Sequence, residues 1–173
     1  MRKIIFGALL LTAFTIQTKA QSVTAEAKAE VTSQLTISLN PGTALNFGKV
    51  AVSVGSPGTC SLSTINVATV SGGVNTIPST TSNAILNLTG IAGSNYAISL
   101  PLNATVTRVG GSETMTVDNL KARPNSIGSD ALIGTLNANT GSDSFTVGGQ
   151  LNVIANQVNG IYIGTFNISV AYN

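Results

Sequence analysis

Apolar and polar residues alternate with a period of two over most of this chain, most regularly in residues 144–173. Phe145, Val147, Leu151 and Val153 share one face, and Tyr162, Phe166, Ile168, Val170 and Tyr172 share another further on. Residues 155–160 between them are polar and end in Asn-Gly, a dipeptide that readily supplies positive φ. Alternation on both sides of such a turn predicts a long β-hairpin, with residues 162–172 as a C-terminal core strand.

The same pattern recurs upstream. Val23, Ala25, Ala27, Ala29 and Val31 face one way, while Thr24, Glu26, Lys28 and Glu30 face the other. Ala, Glu and Lys favour helix, so propensity and period disagree in this stretch. The odd-numbered register continues through Leu35, Ile37 and Leu39, which favours one strand from residue 21 to Pro41-Gly42. Two readings stay open for its small apolar face. It is an ordinary first strand, or residues 21–31 are a donor arm that completes another subunit's sheet.

Residues 45–48 predict a short strand or corner, and Val50, Val52 and Val54 a further strand. Cys60 and Leu62 share one parity and Ile65 and Val67 the other, which predicts a bulge near Ser63-Thr64. Ala84, Leu86 and Leu88, then Tyr96, Ile98 and Leu100, read as a hairpin around residues 90–94. Residues 104–109 and 113–120 pair across Gly110-Gly111, and residues 121–141 form the longest irregular stretch. No segment sustains a helical period. Eight to ten short strands between Gly, Pro, Asn and Ser turns predict an all-β, Ig-like antiparallel sandwich, with a barrel as runner-up.

The N-terminus changes the reading of charge. Arg2-Lys3, the apolar run 4–16 and Thr18-Lys19-Ala20 have the form of a cleaved signal peptide over residues 1–20. That run is too short to span a bilayer as a helix. The expected product is an exported chain of residues 21–173 folding as one domain, placed in the periplasm, at the cell surface or outside the cell. Its charges are Lys28, Lys49, Arg108, Lys121 and Arg123 against Glu26, Glu30, Glu113, Asp118, Asp130 and Asp143. It is about neutral, and five scattered cations make no footprint for nucleic acid. Charged residues are 8% of the sequence, so little protects its sheet edges against association.

Chemistry finds few residues to work with. The chain has no His, which removes the usual general base and the commonest zinc ligand. The lone Cys60 permits no intramolecular disulfide and reads most simply as a buried apolar residue, with an intermolecular bridge or a reactive thiol as the alternative. Glu113 and Asp118 lie five apart on one strand and face opposite sides, unsuited to flank a glycosidic bond. Asp130 and Asp143, with Asn125, Asn139 and Ser142, lack the spacing of a calcium loop. No cofactor, metal or catalytic residue is expected.

Several segments in order carry a resemblance. They are Leu45-Asn46-Phe47-Gly48, residues 58–74 from Gly-Thr-Cys to Gly-Gly-Val, residues 84–90 leading to 96–101, Thr114-Met115-Thr116-Val117, and residues 145–149 continuing to 160–166 and Tyr172. Together they resemble the secreted bacterial domain-of-unknown-function family 4402, over nearly all of residues 21–173. That family is similar in turn to spore-coat U domains and chaperone–usher pilins, whose near-terminal Tyr matches Tyr172. Cys60 stands alone where many pilins carry a disulfide. The resemblance implies a non-enzymatic cell-surface structural protein, a fimbrial subunit assembling by strand addition. Its partners would be copies of itself or other surface subunits, with a periplasmic chaperone as a further candidate. The alternative is a monomeric carbohydrate- or protein-binding adhesion module, although aromatic residues are 5% of the chain and Trp is absent.

Overall fold

A computed structural model describes residues 26–173; the expected signal peptide and the first part of the arm, Val23 and Ala25 included, lie outside them. The chain divides into two units, Met1–Val31 and Thr32–Asn173. In the first unit, residues 26–31 carry no strand and are exposed. The second unit is built from antiparallel strands with no helix among its residues.

The main sheet is organised by β11 (Ser142–Val153). On one side β11 pairs with β9 (Thr114–Pro124), followed by β8 (Asn103–Arg108) and β12 (Tyr162–Ile163). On its other side two strands share its length. β6 (Ala84–Thr89) takes residues 142–147 and β3 (Gly58–Leu62) takes residues 149–153. Beyond them lie β1 (Thr36–Leu39) on β6 and β4 (Ala68–Gly72) on β3. Gly148 marks the handover, because a Cβ there would meet the backbone of residues 62–64. Asn83 seals it, with Nδ2 donating to the carbonyls of Ser63 and Val147, both at 2.9 Å.

Two smaller sheets cover this one, giving a sandwich in two halves. One is β10 (Ile133–Thr135), β7 (Asn95–Ser99) and β13 (Ser169–Tyr172), in that order. Over it Phe145, Val147, Leu86, Leu88 and Ala122 pack against Tyr96, Ile98 and Leu136. The other is the ribbon of β2 (Lys49–Val52) and β5 (Val74–Ile77). Beneath it lie Cys60, Ala104, Met115, Val117, Leu151 and Val153. Leu45, Leu120 and Phe166 pack against both cores.

The sandwich agrees with the alternation, and several pairings do not. The stretch 144–173 is not a hairpin: β11 pairs with β9, β6 and β3, while β12 goes to β8 and β13 to β7. The segments 84–89 and 95–99 are not paired either, since β6 and β7 lie in opposite layers. Alternation states which face is buried and leaves the partner open, so strands that cross between layers look like hairpins. The parity change after Leu62 is a hairpin loop, not a bulge, because Leu62 pairs with Ala68 and Asn66 takes φ 61°.

The bulge sits in β9 instead. Gly148 and Gln150 face Lys121 and Asp118, so β9 carries the extra residue, at Asn119 with φ 47°. Parity flips there, from Met115 and Val117 to Ala122 and Pro124, so the strand continues past Leu120 through four residues that read as loop. β10 falls within the same expected loop. Asn tolerates the left-handed region and a β-branched residue does not. Asn119→Val is therefore expected to cost about 1–2 kcal/mol in urea unfolding, and Asn119→Gly well under 1 kcal/mol.

The first strand is also shorter than the period implies. It begins at Thr36, and residues 26–35 carry none. Alanine gives a strand little area to bury, whereas Ile37 and Leu35 pack on the core.

Candidate functional site

Over the Cys60 half of the sandwich the covering layer is incomplete. A slot of about 640 Å³ runs across the sheet, floored by Ala104, Val106, Met115, Val117, Leu151 and Val153. One wall is β2, with Lys49, Val50 and Val52; of β5 only Ile77 reaches it, so the β2 side of the ribbon borders the opening. The pairings of β2 all go to β5, leaving its other edge without a strand among the described residues. The opposite wall is residues 157–164. There β12 pairs with β8 through Tyr162 and Ile163, with no strand on its other edge among the described residues. Gly164 lets this wall lie close to β8, since a Cβ would meet the Thr105 carbonyl.

The slot therefore lies between two open strand edges, over an apolar floor. Just outside the two walls, Gly55 N–H donates to Asn156 Oδ1 at 3.3 Å. Ile161 and Ile163 stand at its rim, 70% and 62% exposed.

A small polar network is built into the second wall. The Tyr162 hydroxyl donates to the Val158 carbonyl at 2.6 Å and accepts from Gln157 Nε2 at 2.7 Å. Since that hydroxyl proton is committed to Val158, Gln157 must present its nitrogen to Tyr162. Its Oε1 is then left buried with no donor. A buried acceptor without a partner costs about 1–3 kcal/mol.

The residues expected to act together are spread over the fold. Tyr162 and Phe166 line the slot, while Ile168 and Val170 pack on the Phe145 core. Tyr172 ends β13, its hydroxyl donating to the Ser33 carbonyl at 3.0 Å and accepting from Ile91 N–H at 2.8 Å. It thereby ties the last strand to the entry of the domain and to the β6–β7 connection. Of the arm, Ala27, Ala29 and Val31 are exposed, Val31 at 97%. Sequence reading missed Gln157 and the open edge of β2. Residues 155–160 read as a plain turn, and a free edge leaves no mark in a period of two.

The carboxylates go to separate places. Glu113 is held by Arg108 Nε at 2.6 Å, which lowers its pKa and places the pair in the β8–β9 turn. Asp130 accepts from the Thr64 hydroxyl at 2.6 Å, with Lys121 Nζ at 3.6 Å. Asp143 accepts from the Tyr96 hydroxyl at 2.7 Å and borders a polar hollow of about 510 Å³ with Asn125, Asn137, Thr140 and Ser142. Cys60 is buried, and burial pushes its thiol pKa up, away from reactivity.

Burial, then the neighbouring Asp143, push the Tyr96 phenol well above its ordinary range. A raised phenol pKa gives stability that is fully present below the unfolded value of about 10 and is lost as pH rises beyond it. The thermal midpoint is expected to fall above about pH 10, and Tyr96→Phe to flatten that fall. A Tyr96→Phe profile as steep as that of the parent chain would contradict this account.

An all-β sandwich with an open slot in one layer is the class this geometry defines. The chain belongs to the family described as Domain of unknown function (DUF4402), whose model matches residues 35–172. No curated protein matches the chain.

Proposed function

We propose that this chain is a non-enzymatic, exported structural subunit of the cell surface, pilin-like in its assembly by β-strand addition. One observation carries the reading: the apolar slot between the open edges of β2 and β12, which has the form of a sandwich lacking one strand. An added strand would exchange exposed backbone groups for ladder hydrogen bonds and cover the apolar floor. The low charge of the chain agrees with a surface made to associate. Its partners are then copies of itself or other surface subunits, delivered with or without a periplasmic chaperone. Material sheared from producing cells tests this on a denaturing gel. Unboiled samples should run as a ladder that collapses to monomer on boiling; monomer in both lanes would contradict assembly.

The polar hollow beside Asp143 favours a second reading, a carbohydrate-binding adhesion module that works as a monomer. Its lining of Asn, Thr, Ser and Asp suits hydroxyl groups and offers no aromatic ring for a sugar to stack on. Specific glycan-array binding by monomeric protein, abolished by Asp143→Ala, would raise this reading above the first.

A further inference from the structure

We infer that the slot between β2 and residues 157–164 binds a single-chain anionic amphiphile, a fatty-acid-like molecule whose alkyl chain lies on the apolar floor and whose carboxylate meets Lys49. The inference stands on the slot itself and does not depend on strand addition. A strand added there would have to displace the alkyl chain, so the two occupants exclude each other.

Three features point to this ligand. The first is the surface on offer. At about 640 Å³ the slot has the size of a small-molecule site, and its floor, with Phe47 and Phe166 beside it, presents hydrocarbon and the Met115 thioether alone. The second is the state of the polar groups in its walls. Asn46 donates to the Thr80 carbonyl at 3.3 Å and accepts from Gly48 N–H at 3.0 Å. Tyr162 and Gln157 bond to each other and to Val158, and Gln157 Oε1 is closed off inside the wall. A ligand that needs many polar contacts, such as a sugar, finds few partners here. The third is charge. Lys49 is the one charged residue among the described residues that line the slot, and no carboxylate pairs with it among the described residues. Its backbone N–H is held by Ser79 Oγ at 2.7 Å, while its side chain is exposed at the edge of the wall. One cation, no anion and an otherwise apolar surface complement a molecule with one negative charge on a hydrocarbon tail.

Fluorescence quenching tests the site on residues 21–173 in monomeric form. The chain has no Trp, so a single introduced indole reports its own surroundings. Ile163→Trp places it at the rim of the slot, and Ile127→Trp places it at an exposed position outside the slot. The probe is a fatty acid brominated along its chain, kept below the concentration at which it forms micelles. The expected result is saturable quenching with Ile163→Trp and none with Ile127→Trp. Affinity should rise roughly fourfold for each added methylene until the slot is full. Lys49→Glu in the Ile163→Trp chain should weaken binding of the acid about tenfold at low ionic strength, and leave binding of its methyl ester unchanged. Equal quenching at the two positions would mean adsorption to the surface and overturn the site. Absence of quenching with Ile163→Trp would overturn it as well. An acid that binds the Lys49→Glu chain as tightly as the parent would overturn the pairing of its carboxylate with Lys49.

Discussion

Phe145→Ala is expected to lower stability by about 3–5 kcal/mol, the largest effect of any single truncation in this domain. Phe145 sits in the first half of β11, 1% exposed, between Leu86 of β6 and Pro124 of β9. The ring packs in the core that joins the main sheet to β7. Its removal leaves a cavity bounded by two rigid sheets, which have little freedom to collapse into it. A domain of this size has roughly 5–15 kcal/mol in total, so the variant should unfold at least about 6 °C earlier. Leu102→Ala is the control, because Leu102 is 92% exposed and should change stability by less than about 0.5 kcal/mol. Equal shifts for the two variants in a thermal scan would contradict this assignment of the core.

Deleting residues 21–31 is expected to abolish assembly and leave the fold intact. All thirteen strands described lie between Thr36 and Tyr172, so the deletion removes none of them. The shortened chain keeps the slot and loses the segment that the sequence pattern offers as a donor arm. Its circular dichroism and thermal midpoint should match those of residues 21–173 in monomeric form, while the ladder disappears. Mixed with the full chain it should act as a terminator, since it accepts a strand and donates none, and shorten the ladder in proportion to its share. A ladder of unchanged length from the deleted chain would contradict the arm as donor.

The sandwich was legible because both layers are amphipathic. Phe145, Val147, Leu151 and Val153 alternate without a break, and the structure buries all four. Which strand pairs with which was not legible, for a physical reason. Val170 faces the core whether its strand pairs with β11 or with β7, so a strand that changes layer keeps the same pattern. Asn119 shows a second limit: one residue at positive φ inverts the parity of β9, and a strand of eleven residues looks like a shorter strand followed by a loop. The slot was half legible. Tyr162, Phe166 and Gly164 stood out by register, and the small residues of the arm suggested a groove to receive them. Gln157 did not stand out, because its meaning comes from Tyr162 donating to Val158, a contact between side chain and backbone that no spacing rule reveals.

Amide hydrogen exchange across residues 23–31, in assembled material and in monomer released by boiling and refolding, is the most direct test of strand addition. The account predicts slow exchange of these amides in the assembly and fast exchange in the monomer, with Lys49–Val52 of β2 gaining protection in parallel. Fast exchange across the arm in both states would contradict it.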